Sequence, residues 1–256
     1  MMRKILSLIL IISMTTLLCP AQSKVVGYEL KNVNGNCSTY DNPQLKKELQ
    51  KSKKKLEKKI NVVIGYCPET MVSEMPQSPL SNFLTDILVE IANEYCQKKH
   101  KEAVDFSLLN FGGIRSSLKA GNITIGNIFE IAPFENSLVI VDIKGSEVRK
   151  IFQRFKVKKC EPYSQQVSIQ YAGDYFYKAL INGQEIDNNK TYRMVTLDFI
   201  LTGGDDILKD IETGDVEYTG IVVRNAYINH IKKMTAEGKN VTGKNDKRMS
   251  IIPQPR

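Results

Sequence analysis

The chain has 256 residues, 42% of them hydrophobic, and a formal net charge of +8. This apolar content excludes global disorder, and the length suits one large domain or two small ones. The positive charge is local, because residues 46–59 contain eight lysines and two glutamates, a net +6. A general nucleic-acid-binding protein is therefore disfavoured, and no nucleic-acid partner is predicted.

The N-terminus has the pattern of an export signal. Arg3-Lys4 precedes an apolar run over residues 5–18, and Cys19-Pro-Ala-Gln-Ser23 follows. This pattern predicts a signal peptide over residues 1–22 and an exported protein, periplasmic or extracellular. Lipid anchoring at Cys19, which would attach the chain to a membrane, stays open as an alternative.

The cysteines leave two alternatives open. Cleavage of the signal would leave an even number of them in a compartment that permits disulfides. Their spacings are wide, so a zinc knuckle is not expected. One or two disulfides and buried free thiols are both compatible with the four positions, Cys37, Cys67, Cys96 and Cys160.

Residues 23–60 are predicted to form a polar segment followed by a basic amphipathic helix. Apolar residues recur at helical spacing among the lysines, at Leu45, Leu49, Leu56 and Ile60. Such a helix presents a solvated basic face. It is either a surface or linker helix or a docking element for an acidic partner or an anionic surface.

Residues 61–252 are predicted to form the main domain, in which strands and helices are mixed. Helices are expected after Ser78-Pro79, which caps and starts a helix, after Gly145, and over residues 221–234. Asn182-Gly183 predicts a hairpin turn, because both positions favour positive φ. The mixture predicts an α/β (α+β) fold with a mixed sheet. The predicted strands are 61–66, 104–109, 137–143, 166–171, 175–181, 192–201 and 249–252.

Two glycine pairs mark a candidate binding pocket. The first lies in Asn110-Phe-Gly-Gly-Ile-Arg115 and the second in Asp198-Phe-Ile-Leu-Thr-Gly-Gly-Asp205. Glycines let the backbone turn tightly and approach a ligand closely. Arg115 can offer a planar fork of donors to a phosphate or a ribose oxygen.

Two aromatic residues accompany these loops. Phe134, in Pro133-Phe-Glu-Asn136, and Phe199 can hold a flat base between their faces. Asp205 can accept hydrogen bonds from paired ribose hydroxyls. Each residue also has a purely structural interpretation: the rings as core, Arg115 as an ion-pair partner, and the glycines as turns. Their combination favours a nucleotide or nucleoside pocket.

These segments resemble the C-terminal, substrate-binding domain of the 5'-nucleotidase family, which includes ecto-5'-nucleotidase and bacterial UDP-sugar hydrolases. The resemblance spans about residues 60–252 and keeps the family's order. It implies a layered sandwich of mixed sheet and helices, and a role in nucleotide catabolism. The matching segments are Ser81-Asn-Phe83 with Asp86, residues 110–115, 121–124, 132–136, 144–145 and 181–183, Tyr192, and residues 198–205.

The resemblance implies the roles of the site residues. Phe134 and Phe199 would stack on the base, and Asp205 would contact the ribose. Asn110 and Arg115 would contact the ligand, as would Asn136 in the bacterial branch. The glycines of the two loops would line the site, at Gly112, Gly113, Gly203 and Gly204.

The sequence departs from the family's pattern at three places. Residues 71–77 contain no arginine where the family has one or two. Ile169 and Asp206 stand where the family has glycine. These departures predict a weaker grip on phosphate or ribose, or a different ligand.

Catalysis is not expected from this chain alone. Family members cleave phosphate esters with two metal ions in a separate N-terminal domain, a chemistry that needs a cluster of Asp, His and Asn ligands. The sequence has two histidines, His100 and His230, and neither stands in an Asp-x-His or Gly-Asn-His motif. We therefore predict no catalytic residues, metal or cofactor here, and a separately encoded metallophosphoesterase as partner. A non-catalytic binding or scavenging protein is the alternative, and an enzyme with an unrecognised site is a third.

Overall fold

The computed structural model describes residues 42–246 and 248–253. The expected signal peptide, Cys19 and Cys37 lie outside these residues. By its contacts the chain divides into Met1–Lys51 and Ser52–Arg256. The strands and all helices after the first belong to the second unit.

Helix α1, Pro43–Ile60, confirms the predicted basic helix. The Asn42 Oδ1 atom accepts hydrogen bonds from the backbone N–H groups of Gln44 and Leu45 and so caps its start. None of its residues is buried. Its role as a linker or a docking element stays a prediction.

The strands form one two-stranded and two four-stranded sheets in the described part of the chain. Each four-stranded sheet contains one parallel pair of strands, and the other pairs are antiparallel, which confirms the predicted mixed sheets. In spatial order the sheets are β1 (Val63–Cys67) and β3 (Gly121–Thr124); then β2 (Phe106–Ser107), β8 (Thr191–Leu197), β4 (Ser137–Lys144) and β9 (Val216–Val222); and finally β10 (Met249–Ile252), β5 (Val167–Ala172), β6 (Tyr175–Ile181) and β7 (Gln184–Glu185).

The helices pack apolar faces against these sheets. Helix α2 begins as predicted, with Ser78 and Ser81 in a reciprocal capping box and Pro79 in the first turn. Its buried face includes Leu80, Leu84 and Leu88. The helices after α1 are α2 (Pro79–Lys98), α3 (Ile125–Ile131), α4 (Gly145–Arg154), α5 (Asp198–Leu201) and α6 (Val223–Ala236).

An ion-pair cluster ties the C-terminal strand β10 to α2. The buried Arg248 guanidinium donates from Nη2 to Asp86 Oδ2 at 2.9 Å and to Asp246 Oδ2 at 2.6 Å. Asn82 Nδ2 donates to the Lys244 carbonyl at 2.8 Å. Asp86 and Asn82, both part of the sequence resemblance, therefore hold the segment before β10 in place.

The predicted strand over residues 192–201 is wrong at its end, because β8 stops at Leu197 and residues 198–201 form the helical turn α5. The Asp198 carboxylate accepts from the Phe199 N–H, and the Thr202 hydroxyl donates to the Asp198 carbonyl. These local bonds replace the ladder of a strand. The glycine pair therefore follows a helical turn.

Other boundaries shift by smaller amounts. The strand predicted over 104–109 is reduced to β2, because Val104 N–H donates to the Asn93 side chain and Leu109 N–H donates to the Pro162 carbonyl. The predicted last helix starts at Val223, since residues 221–222 end β9. Strands β3, β7 and β9 and helix α3 were not predicted.

The hairpin turn is confirmed, with φ values of 52° at Asn182 and 77° at Gly183. The described cysteines, Cys67, Cys96 and Cys160, are buried free thiols. Burial raises the pKa of the Cys160 thiol to about 12, which keeps it protonated at neutral pH. For these three residues the free-thiol alternative is correct.

Candidate functional site

The first glycine pair lies in a 3₁₀ turn that follows β2. The turn spans Phe111–Gly113, and Asn110 precedes it in an extended conformation. Leu108 is tied to β8 on both sides, because its N–H donates to the Val195 carbonyl and its carbonyl accepts from the Thr196 hydroxyl. These bonds to β8 fix the position of Asn110, two residues later, at the start of the turn.

The two glycine loops meet through a hydrogen bond between Asn110 and Asp205. The Asn110 Nδ2 atom donates to Asp205 Oδ2 at 2.6 Å. Asn110 is only 4% exposed, whereas Asp205 is open to solvent. A Cβ atom at Gly113 would lie 2.8 Å from Asn110 Oδ1, and one at Gly112 would lie 3.2 Å from Asp205 Oδ2. Both glycines therefore permit this close approach.

The second glycine loop is built from left-handed backbone. Gly203 has a φ of 99°, and Asp205 and Asp206 have φ values of 54° and 55°. Aspartate is among the few residues with side chains that adopt this region. The positive φ at position 206 is one that glycine also adopts, so it accounts for the place at which Asp206 departs from the family's glycine. A Cβ atom at Gly204 would overlap the ring of Phe199, so this glycine lets the ring lie against the loop.

The two phenylalanines expose much of their rings. Phe134 is 49% exposed and Phe199 is 41% exposed, so neither is a core residue. Phe134, Asn136, Asn110 and Gly113 line a common apolar pocket, whose other walls include Leu109, Ile131, Leu197, Val223 and Tyr227. Phe199, Asp205, Arg115, Gly112, Gly203 and Gly204 are not among the residues that line it.

Arg115 is exposed at the end of the first loop. Its Nη1 atom donates to the Gly112 carbonyl at 3.3 Å, and its backbone N–H donates to the Ile131 carbonyl at 2.9 Å. The backbone of the loop is thereby joined to the end of α3. The guanidinium stays at the surface, next to the first glycine pair.

Two charged residues that the sequence did not indicate support the site. Glu161 Oε2 accepts from the Phe111 N–H at 2.7 Å. Burial raises the pKa of Glu161, the Phe111 N–H opposes this rise, and the negative charge of Asp205 adds to it. Arg224, at the start of α6, donates to the Pro133 carbonyl at 2.7 Å. In the sequence, the one hint of this contact is that Arg224 stands next to apolar residues at the start of α6.

Two-metal chemistry needs several ligand side chains that lie close together. The part of the chain that the structure describes contains no group of three or more His, Cys, Asp or Glu residues that could hold a metal ion. The described residues therefore do not fit the ligand set of a two-metal centre. His100 is exposed beyond the end of α2, and His230 is buried on α6 with Nε2 3.6 Å from Glu90 Oε2.

No helix among residues 42–246 and 248–253 is long and apolar enough to cross a membrane.

The chain was compared with curated proteins. Protein UshA of Yersinia enterocolitica is 35% identical over 137 residues, which are 52% of this chain and 25% of that protein. The trifunctional nucleotide phosphoesterase protein YfkN of Bacillus subtilis is 26% identical over 238 residues, which are 85% of this chain and 16% of YfkN. The chain thus spans a quarter or less of these relatives.

A solved structure and a family model also match this chain. The 5'-nucleotidase precursor of Thermus thermophilus superposes with a TM-score of 0.65 at 22% identity, over 82% of this chain and 43% of that chain, and shows the same mixed α/β fold. Residues 63–210, more than half of the sequence, match the family described as "5'-nucleotidase, C-terminal domain". This chain therefore belongs to the 5'-nucleotidase family through that C-terminal domain.

Proposed function

We propose that this chain binds a nucleotide or nucleoside and contributes substrate recognition to nucleotide hydrolysis. The observation that carries the proposal is the exposure of Phe134 and Phe199 near the hydrogen bond between the buried Asn110 and the exposed Asp205. Exposed rings near a polar pair suit a flat, partly polar ligand, because base stacking needs an open aromatic face.

Each polar group of the site has a matching group on a nucleoside. The Asp205 carboxylate accepts hydrogen bonds from ribose hydroxyls. The Asn110 Oδ1 atom is buried without a hydrogen-bond partner among the described residues, so it suits a hydroxyl or N–H donor of the ligand. Arg115 offers donors to a ribose oxygen or a phosphate. Asn136 lies on the pocket wall, in reach of a ligand there.

Catalysis itself is assigned to a partner. A separately encoded metallophosphoesterase would supply the metal ions, the water nucleophile and the acid–base group. Support comes from YfkN, which is named as a nucleotide phosphoesterase and is much longer than the matched part. Export to the periplasm or the cell exterior, with lipid anchoring as an alternative, is proposed from the N-terminal pattern. A relative described as a cell wall protein, Lmo0130, agrees with export.

Isothermal titration with adenosine, AMP, UMP and a UDP-sugar tests the binding function. We expect at least one of them to bind, and Phe134→Ala to weaken binding by roughly tenfold, since stacking contributes about 1–3 kcal/mol per base. Tyr177→Ala, which removes an exposed ring on β6, is the matched control and keeps full affinity. Absence of binding by all four ligands contradicts the proposal.

A non-catalytic scavenging protein is the second candidate, because the exposed rings of Phe134 and Phe199 could hold a free nucleoside without a catalytic partner. Phosphate release from AMP distinguishes the two. Release that needs both this chain and a metallophosphoesterase supports shared hydrolysis. A metallophosphoesterase whose rate is unchanged by this chain supports scavenging.

A further inference from the structure

The loop that carries Phe134 and Asn136 is held by one side chain from a distant helix. Arg224, in the first turn of α6, donates from Nη1 to the Pro133 carbonyl at 2.7 Å and to the Phe134 carbonyl at 3.4 Å. Its Nη2 atom donates to Glu135 Oε1 at 3.1 Å. The guanidinium thus contacts three consecutive residues of the loop.

The surroundings of Arg224 fix its position. The residue is 6% exposed, and the carbon at the centre of the guanidinium lies 4.1 Å from the centroid of the Phe129 ring on α3. The neighbouring Val223 N–H donates to the Asn136 carbonyl at 2.9 Å. The start of α6 is therefore hydrogen-bonded to both ends of the loop, at Pro133 and at Asn136.

An ion pair alone does not account for this buried cation. Its carboxylate partner, Glu135, is on a side chain that is 82% exposed, and exposed pairs contribute little. Burying a cation without close partners is strongly unfavourable. The close partners are the backbone carbonyls of Pro133 and Phe134, which belong to the loop, and the ring of Phe129, which belongs to α3.

We propose that Arg224 is the positioning residue for the ring of Phe134 and thereby sets the affinity of the pocket. The inference rests on the proposed function of the pocket. It adds a determinant outside residues 63–210, where the family match lies. Arginine suits this place because the two terminal nitrogens of its planar fork reach two carbonyls and a carboxylate at once, whereas the donors of lysine all radiate from one nitrogen.

Arg224→Lys keeps the positive charge and weakens the hydrogen bonds between this side chain and the loop. Phe134 then spends less time in the binding geometry, and affinity falls because preorganisation is lost. We expect a rise in Kd of roughly tenfold. The matched control is Arg149→Lys on α4, where the arginine binds the Ile186 carbonyl at 2.8 Å and Asn188 Oδ1 at 3.0 Å.

The sequence contains no tryptophan, so Phe134→Trp introduces a single fluorescent reporter at the ring itself. Both lysine substitutions are made in this background. We expect Arg224→Lys to lower the fluorescence anisotropy of the unliganded protein and to raise the Kd for adenosine. Arg149→Lys should leave both unchanged, with a comparable shift in melting temperature.

Equal anisotropy and equal Kd in the two lysine variants overturn the inference. Absence of binding by adenosine, AMP, UMP and the UDP-sugar in the parent protein, with the native Phe134, contradicts the proposed function instead. The unliganded anisotropy then still decides the role of Arg224. Phe129→Leu is a second variant in case Arg224→Lys does not fold. It removes the ring under the guanidinium from an exposed position, and we expect the same changes, with a roughly threefold rise in Kd.

Discussion

Gly113→Ala tests how closely the first glycine loop is packed on Asn110. Gly113 does not have a positive φ, so alanine suits its backbone. The new Cβ would lie 2.8 Å from Asn110 Oδ1, and the three nearest atoms all belong to the Asn110 side chain. An ordinary contact needs about 3.4 Å, so the amide must shift by roughly 0.6 Å.

The cost of this shift follows from what the amide holds. Asn110 is buried, and its 2.6 Å hydrogen bond to the Asp205 carboxylate cannot keep its geometry. Hydrogen bonds to charged groups contribute about 1.5–3 kcal/mol, and the exposure of Asp205 places this one at the lower end. We therefore expect Gly113→Ala to lower the free energy of unfolding by about 1.5 kcal/mol.

A double-mutant cycle measured by urea unfolding isolates the contact. In the Asn110→Ala background the obstructing atoms are gone, so Gly113→Ala should cost about 0.5 kcal/mol or less. Gly112→Ala is the control, because its Cβ would meet only the end of the exposed Asp205 side chain at 3.2 Å. An equal cost of Gly113→Ala in both backgrounds would refute this reasoning.

Two further predictions concern backbone and charge. Asp206→Gly should raise the free energy of unfolding by up to about 1 kcal/mol in urea unfolding, because glycine adopts the positive φ of 55° without the penalty of a side chain; a loss of stability contradicts this. Burial lowers the pKa of His230, against the opposing charges of Glu90 and Glu94. The unfolded chain therefore takes up the proton first as the pH falls below about 6.5, and stability falls by at most about 1.4 kcal/mol per pH unit down to the folded pKa. Urea unfolding at several pH values should show that His230→Gln removes this dependence, whereas the exposed control His100→Gln keeps it; an unchanged slope in His230→Gln contradicts the assignment.

The sequence predicted the parts of this protein that are encoded locally. The capping residues Ser78 and Pro79, the Asn182-Gly183 turn and the basic helix all depend on neighbouring residues, and all are confirmed. Phe199 shows the opposite case, since the apolar pattern of its segment suggested a strand. The Asp198 side chain and the Thr202 hydroxyl stabilise a helical turn there instead.

The supports of the site depend on contacts between distant residues. Glu161 binds the backbone of Phe111 across 50 positions, and Arg224 binds Pro133 across 91. No spacing or motif in the sequence links the two members of either pair. They meet because of how α6 and the segment before β5 pack in the fold. The candidate site residues could be named from the sequence, and their binding role stays a prediction. The residues that hold them in place could not be named from the sequence.

A crystal structure of the protein soaked with adenosine tests the central claim most directly. The account predicts that the base lies in contact with the rings of Phe134 and Phe199, with a ribose hydroxyl within hydrogen-bond distance of the Asp205 carboxylate. Density for adenosine at another place would contradict it, as would a site that stays unchanged in soaks with each of adenosine, AMP, UMP and a UDP-sugar.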